Sequence, residues 1–377
     1  MFDGKKVLIT GGTGSLGTAL TERLLKTDVD TIRIFSRDEL KQVQMESNFS
    51  DKRLRFLVGD IRDKNRLSRA LEGINIVIHA AALKHVPVVE YNPFEAVKTN
   101  VQGAQNLIES CLDKNVEFAL AVSTDKAVVP FNTYGATKLL MERLFISANY
   151  YKGSRDVKFS CVRYGNVLGS RGSIIPKFID QIRTGNKITI TDPDMTRFNI
   201  TMNQALDLIF RVIKNGYGGD VFVPKLKAYK VGDIKDALCD LLKCKNDIEK
   251  IPIRFGEKFH ESLISKHEIR NTYESADNDY VIFEDQTGLN RTIPNTKKTL
   301  LTDEYSSDKV ELLTKQELKN ILIQEKLVVW EKFFIYNFDD FIFFINSFAN
   351  NVNVLLFSSK KEFILSTDIS ASIKNPP

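Results

Sequence analysis

Cysteine and histidine are scarce in this chain. Its 377 residues hold four cysteines (Cys111, Cys161, Cys239 and Cys244), none in a CxxC pair, and four histidines (His79, His85, His260 and His267). A structural zinc site needs a compact set of such ligands, so no metal is expected. Cys111 and Cys161 lie in apolar surroundings and read as small buried hydrophobes. No disulfide framework is expected, which fits a reducing compartment. Charge of one sign is also lacking: 53 Lys and Arg stand against 48 Asp and Glu, a formal net charge of +5. That excess is spread along the chain, with no basic block to follow a nucleic-acid backbone. No window offers the roughly 18 unbroken apolar residues of a membrane-spanning helix. The nearest, FFIYNFDDFIFFINSFA at 333–349, is interrupted by Asp339 and Asp340. The start, MFDGKKVLITGG, enters a strand at once, with no secretory leader expected. The expectation is a cytoplasmic protein with neither nucleic acid nor membrane as a partner.

What is present is a regular alternation. Buried strands are expected at KVLIT (6–10), TIRIFS (31–36), LRFLVGD (54–60), NIVIHAAA (75–82), FALAVS (118–123) and KFSCVRYGNV (158–167), with helical periodicity between them. Strands alternating with helices of this length imply an α/β fold, a Rossmann-type doubly wound parallel sheet covered on both faces. Its ligand belongs at the carboxyl ends of the strands. The reading assigns 1–165 to a dinucleotide-binding domain, with a return segment at about 200–222. Residues 166–199 and 223–320, with shorter and more mixed elements, form a smaller substrate-binding lobe. Residues 321–377 are an atypical extension without an assigned role: from Gln324 on there is no glycine and nine of the 25 phenylalanines appear.

Gly11, Gly14 and Gly17 form GGTGSLG between the first strand and the first helix. Such a turn lets the backbone approach a pyrophosphate closely, and the helix N-terminus supplies free N–H groups to the anion. Thr13, Ser15 and Leu16 complete this cofactor contact. The second strand ends in SRDELK, where an NAD site would place a carboxylate on the ribose. Here Ser36 and Arg37 come first, with Asp38 next and Lys41 one turn on, so Arg37 and Lys41 suit a 2′-phosphate and NADP is preferred. Asp38 keeps NAD open, and Lys41 taken alone also reads as a solvated helix lysine. Asp60 and Ile61, after the third strand, are placed for the adenine edge. Ala80, Ala81 and Ala82 let a dinucleotide pass close to the fourth.

The stretch STDKAVVPFNTYGATK (123–138) carries the chemistry. Tyr134 and Lys138 are four apart and share a helix face. A phenol must approach ionisation to take a proton from an alcohol as hydride leaves the same carbon, and the Lys138 ammonium beside it favours the phenolate. Lys138 can also hold the nicotinamide ribose, and Thr124 can hydrogen-bond the reacting oxygen. Oxidation at C4 of a sugar acidifies C5–H, and loss of water across C5 and C6 then needs one base and one acid. Asp125 and Lys126 supply one of each; they can equally form a simple salt bridge.

In order, GGTGSLG, HAAALKHVPVVEYNP, KTNVQGAQN, STDKAVVPFNTYGATK, RYGNVLGSRGSIIP, ITDPDMTRF and RFGEKFHE resemble one branch of the extended short-chain dehydrogenase/reductases, the UDP-N-acetylglucosamine 4,6-dehydratases. The likeness covers about residues 4–320 and is greatest to the inverting type that begins pseudaminic acid synthesis. It implies a hydro-lyase with Thr124, Asp125, Lys126, Tyr134 and Lys138 as catalytic residues, bound NADP, and a homo-oligomer, often a hexamer. The resemblance also implies UDP-N-acetylglucosamine as substrate and an L-configured 4-keto-6-deoxy sugar as product. Related capsule-pathway enzymes often have methionine where this chain keeps Tyr134. The tail beyond the YSSD…ELLTKQEL region departs from the pattern. Asn100 is counted with the cofactor contacts, as are Lys84, Tyr134 and Lys138. The UDP-sugar contacts are Lys84, His85, Asn166, Arg171, Ser173, Arg197, Arg254 and Glu257. The competing expectations are a UDP-sugar 4-epimerase, a retaining 4,6-dehydratase, and a nucleotide-binding scaffold without turnover.

Overall fold

The computed structural model describes residues 1–283 and 293–328, with two further short strands, Ser358–Ser359 and Glu362–Phe363. The chain divides into two units, Met1–Val328 and Val329–Pro377. In the second, the two short strands pair antiparallel. The remaining residues of the tail, including the apolar run at 333–349, lie outside the described residues.

The first unit is built from β1 (Lys6–Thr10), α1 (Ser15–Leu25), β2 (Thr31–Ser36), α2 (Glu39–Phe49), β3 (Leu54–Val58), α3 (Lys64–Ala70) and β4 (Ile76–His79). Next come α4 (Val86–Tyr91), α5 (Pro93–Ala96), a π-helical turn at Val97–Gln102, α6 (Gly103–Asp113), β5 (Phe118–Val122), a 3₁₀ turn at Asp125–Ala127, α7 (Thr133–Tyr151) and β6 (Lys158–Val162). The six strands therefore stand where the hydrophobic runs put them, several of them ending a few residues early. β4 stops at His79 because Ala80–Ala82 leave the sheet to line a cavity.

Beyond β6 follow α8 (Ile174–Arg183), β7 (Ile188–Ile190), β8 (Thr196–Phe198), α9 (Met202–Asn215), β9 (Asp220–Pro224), β10 (Ala228–Lys230), α10 (Val231–Leu242) and β11 (Ile248–Lys250). The last elements of the unit are β12 (Ser262–Ile264), β13 (Thr272–Ser275), β14 (Asp279–Phe283), β15 (Thr296–Lys298), β16 (Tyr305–Ser306) and α11 (Lys315–Gln324). One ten-stranded sheet runs β15-β13-β14-β9-β6-β5-β4-β1-β2-β3. From β3 to β9 the neighbours are parallel, and β14, β13 and β15 join antiparallel.

Side chains alternate across this sheet as the pleat requires. Leu8, Val77, Ala119 and Phe159 join one buried layer with residues of α3, α6 and α7. Val7, Ile9, Ile32, Ile78 and Leu120 join the opposite layer with residues of α1 and α9. Both faces are covered, so the strands read as continuous apolar runs. Chain order reverses between β1 and β4, and this switch point opens the crevice at the carboxyl edge.

A third core holds the smaller lobe, with Phe178, Ile188, Ile190, Tyr229 and Leu238 among its buried residues. Two assignments from the sequence need correction. The strands at 272–275, 279–283 and 296–298, read as part of that lobe, instead extend the main sheet: Val281 and Ile282 of β14 pair with β9 and bury their side chains in its two layers. Residues 321–328, read as the start of the atypical extension, belong to the first unit. Leu322 and Val328 are buried in the lobe core, because α11 packs its apolar face on α10.

Candidate active site

The first cavity, of about 520 Å³, lies at the switch point. Gly11 sits at φ 66°, and a Cβ there would lie 2.9 Å from the Ala81 backbone. At Gly17 a Cβ would meet the Gly12 carbonyl oxygen at 2.3 Å, so α1 can approach the turn only through glycine. Gly14 caps α1 without a side-chain hydrogen bond, leaving the first N–H groups of that helix for an anion. Thr13, Ser15, Leu16, Ser36, Arg37, Lys41, Ile61, Ala80, Ala81, Ala82, Lys84, Tyr134 and Lys138 all line this cavity with the three glycines.

Two residues expected there do not line it. Asp60 turns to Arg62, whose guanidinium donates to both its carboxylate oxygens. Asn100 is buried and clamps the loop after β4, bonding Leu83 N at 2.8 Å and Leu83 O at 3.0 Å, and Thr137 Oγ1 at 3.0 Å. It fixes the cavity wall to α7. At the end of β2, Asp38 caps α2 by accepting from Lys41 N at 3.0 Å, and its second oxygen pairs with Lys41 Nζ. The carboxylate that kept NAD open is thus engaged. The Arg37 side chain is half exposed, with only a 3.5 Å contact to Asp60.

Arg171 also departs from expectation. It crosses to the glycine turn, its Nη2 donating to Thr13 O at 2.8 Å and its Nε to Ser15 Oγ at 3.3 Å, while Lys84 Nζ holds Arg171 O at 2.9 Å. It stands on the dinucleotide side, because Gly169 (φ 69°) and Gly172 (φ 77°) turn the loop after β6 back over the crevice.

The chemistry-bearing groups converge where β5 ends. Asn132 caps α7, accepting from Gly135 N at 2.7 Å and donating to Gly256 O at 2.8 Å. A Cβ at Gly135 would lie 2.0 Å from Lys126 O. That close approach seats Tyr134 beside the turn carrying Thr124, Asp125 and Lys126. Thr124 Oγ1 donates to Asp125 Oδ1 at 2.8 Å, and Lys126 Nζ approaches the same oxygen at 3.1 Å. Lys126 Nζ also lies 3.4 Å from Glu261 Oε1 and 3.3 Å from Asn166 Oδ1. Burial opposes the Lys126 charge, but Asp125 and Glu261 outweigh it, so its pKa rises above the ordinary lysine value.

Tyr134 is pushed up to about 12 by burial, a shift opposed by the Lys126 charge and by a hydrogen bond with Thr124. Lys138 does not play the part expected of it toward the phenol. Its Nζ donates to Val122 O at 2.7 Å and touches Met141 Sδ, and burial drives its pKa down to about 8. The cation acting on Tyr134 is Lys126.

A second cavity, of about 510 Å³, is lined by Asn166, Ser173, Lys177, Arg197, Arg254 and Glu257. A third, of about 280 Å³, shares Thr124, Tyr134, Lys84 and His85 with the first and Ser173, Arg197 and Arg254 with the second. The three form one trough, with Lys126 and Glu261 at its middle. Ser173 Oγ is without a partner at the N-terminus of α8. Arg197, expected to be a bidentate ligand, spends Nη1 on Thr196 O (2.7 Å) and Phe259 O (2.9 Å), and Nη2 lies 3.6 Å from Glu257. It is a fixed positive charge rather than a free fork. His260 bonds Thr196 Oγ1 at 2.7 Å and does not line the trough. Nothing in the sequence singles out Glu261. Its register in RFGEKFHE gave no sign that a strand-end carboxylate would meet Lys126 from 135 residues away.

Among the described residues no cluster of His, Cys, Asp and Glu is arranged for a metal, and no helix is long and apolar enough to cross a membrane.

A doubly wound sheet, a glycine turn and a Tyr-x-x-x-Lys helix define an extended short-chain dehydrogenase/reductase. Residues 7–283 match the family described as polysaccharide biosynthesis protein, and the chain belongs to that family. It is 48% identical over 276 residues to UDP-N-acetylglucosamine 4,6-dehydratase (inverting) of Campylobacter jejuni strain 81-176, covering 73% of this chain and 81% of that one. It is also 41% identical over 330 residues to UDP-glucose 4-epimerase of Rickettsia rickettsii, covering 86% of this chain and 96% of that one. The X-ray structure of Pen from Bacillus thuringiensis superposes with a TM-score of 0.82 at 39% identity, covering 87% of this chain and all of that one.

Proposed function

We propose that this protein removes water from UDP-N-acetylglucosamine as an inverting 4,6-dehydratase with NADP. The observation that carries the reading is the pairing of buried Asp125 with Lys126, which lines the middle of the trough together with Thr124 and Tyr134. Relatives named as 4,6-dehydratases and as 4-epimerases are both similar to this chain. A 4-epimerase has no use for an elimination acid and base, so this pair supports the dehydratase reading.

The residues of the first cavity suit a dinucleotide. The α1 N-terminus suits a pyrophosphate, with Arg171 braced against the glycine turn beside it, Ala80–Ala82 leave room for its passage, and Arg37 and Lys41 flank the ribose position. With Asp38 engaged as a helix cap, the balance of charge there favours a 2′-phosphate. Bound there, the nicotinamide supplies a hydride acceptor for C4 and a hydride donor for C6. The α8 N-terminus, Ser173, Lys177 and Arg254 suit a nucleoside diphosphate in the second cavity.

Tyr134 takes the proton of the C4 hydroxyl, and Thr124 steadies both the phenol and the reacting oxygen. With C4 a ketone, the electrons of the C5–H bond can move into the carbonyl, and Lys126 takes the proton. Asp125 protonates the departing C6 hydroxyl, which leaves as water. Reprotonation of C5 from the opposite face gives the L-configured 4-keto-6-deoxy sugar, a precursor for pseudaminic acid and surface glycans such as those on flagellin. A cytoplasmic homo-oligomer, of six chains as the resemblance implies, belongs to the same reading.

Incubation with UDP-N-acetylglucosamine tests it. The expected product has lost one water, with no net build-up of reduced nicotinamide, and in D₂O its C5 is deuterated and inverted by NMR. A product of unchanged mass, epimeric at C4, would replace this reading with the epimerase one.

A further inference from the structure

The reaction asks Lys126 to accept a proton, yet the structure surrounds it with groups that keep it an ammonium. Its Nζ lies 3.1 Å from Asp125 Oδ1 and 3.4 Å from Glu261 Oε1. Glu261 is not part of the steps derived above. It is 3% exposed, its backbone N is held by Ser307 Oγ at 2.9 Å, and Ser307 N donates to its carbonyl at 2.8 Å. Its Oε2 is buried without a hydrogen-bond partner, as is Asp125 Oδ2. A buried carboxylate with an unpartnered oxygen beside an ammonium is poised to be neutralised by a proton.

We propose that Glu261 is a positioning residue that stores the Lys126 proton, so that the amine enters the elimination as a base without releasing a proton to solvent. The inference rests on the dehydratase reading. With Asp125 carrying the proton that the elimination needs, the Lys126 proton moves from Nζ to Glu261 Oε1, turning an ammonium–carboxylate pair into a neutral amine and a carboxylic acid. The Lys126 lone pair accepts the C5 proton, the C5–H electrons pass toward the C4 ketone, and Asp125 gives its proton to the hydroxyl leaving C6. Lys126 then passes a proton to Asp125 and Glu261 returns its own to Lys126. Each group regains its starting state, and the C5 proton replaces the one that left with water.

The other charges facing the pair act in both directions: Arg197 and Lys258 favour the Glu261 carboxylate, whereas Asp125, when ionised, favours its acid form. Lys84, Tyr134 and Tyr229 also feel Lys126. Burial, the largest influence on Glu261, pushes its pKa up, toward the protonated form the exchange requires.

The test is Glu261→Gln, read as the pH dependence of dehydration and of C5 exchange with D₂O. In the wild-type protein the proton stays within the pair, and the rate should be flat through neutral pH. In the variant Lys126 must lose its proton to solvent. Dehydration at neutral pH should fall about a hundredfold and climb with hydroxide concentration toward the wild-type rate. Transient reduction of the nicotinamide on mixing with the UDP-sugar should persist, reporting a folded protein still competent for C4 oxidation. Glu261→Asp should restore part of the neutral rate. An unchanged rate and profile in Glu261→Gln, or a loss of the same size at every pH, would overturn the proposal. A wild-type protein that yields only a C4 epimer would instead overturn the dehydratase reading, a separate outcome visible in the product.

Discussion

The two halves of the trough are made of different materials. The dinucleotide half is backbone: Gly11, Gly14 and Gly17, three alanines and the open N-terminus of α1, all from segments adjoining β1 and β4. The sugar half is side chain: Lys126, Asn166, Arg197, Arg254, Glu257 and Glu261 come from four separated segments, tied by the ion pairs Lys126–Glu261 and Arg197–Glu257. A backbone site fails through shape, because no neighbouring side chain can stand in for a carbonyl that must be approached closely. A charge-built site fails one function at a time, because each group keeps its own chemistry. This contrast sets what should happen when either half is altered.

The largest effect is expected in the sugar half. Lys126→Ala should slow dehydration by about 10³-fold or more, within the range of a lost general base. C4 oxidation should also slow, because Lys126 is the cation acting on Tyr134, but by less than elimination, so reduced nicotinamide would accumulate after mixing with the UDP-sugar, followed by its absorbance. Should oxidation and elimination fall together, the two halves would not be separable as described. Next comes Gly17→Ala in the backbone half. Its Cβ would lie 2.3 Å from Gly12 O, so the helix must shift away from the turn. Destabilisation of about 1–3 kcal/mol is expected, with cofactor affinity lost in proportion to the shift. Thermal melting with and without NADP measures both, and a variant that melts and binds as the wild type does would break the contrast.

Much of this was legible in the sequence, and unevenly so. β1, β2, β5 and β6 were readable because a strand buried on both faces is a continuous apolar run bounded by polar turns. The glycine turn and Tyr134 are local patterns whose spacing is their geometry. Asp125 and Lys126 were found for the same reason. Glu261 was not, since its meeting with Lys126 depends on where the segment before β12 lands. Arg171 was expected on the UDP side, and its side chain instead reaches the glycine turn: two positive-φ glycines reverse its loop, and a reversal of that kind leaves no periodicity to read. Lys138 was placed correctly on its helix face, yet its ammonium turns to Val122 O, a matter of rotamer that spacing does not encode. β13, β14 and β15 were misassigned because short strands joining antiparallel at a sheet edge look like any small lobe.

Arg171 gives a smaller and sharper test. It is a side chain from the sugar-half loop that serves the backbone half, through Thr13 O and Ser15. Arg171→Ala should weaken NADP binding about tenfold, in a salt-dependent manner, and leave UDP affinity nearly unchanged. Calorimetric titration with each nucleotide separates the two. A loss confined to UDP would return the residue to the sugar half.

The smallest effect is expected at Lys41, and it bears on how far the backbone half is truly free of side-chain charge. Lys41 Nζ pairs with Asp38, whose other oxygen accepts from the Lys41 backbone N–H and caps α2. Lys41→Ala keeps that N–H, so the cap survives and the helix should be unaffected. What changes is the charge beside the ribose: Asp38 loses its cation and Arg37 alone faces a 2′-phosphate. NADP affinity should fall only about threefold, an exposed pair being largely screened by water and salt, while NAD affinity stays level or rises slightly. Arg37→Ala should reach further in the same direction, because the Arg37 fork is not spent on a strong partner. If Lys41→Ala lowered NADP and NAD affinity equally, the lysine would be acting on the pyrophosphate or on the cap, and the 2′ position would be read by Arg37 and Ser36 alone.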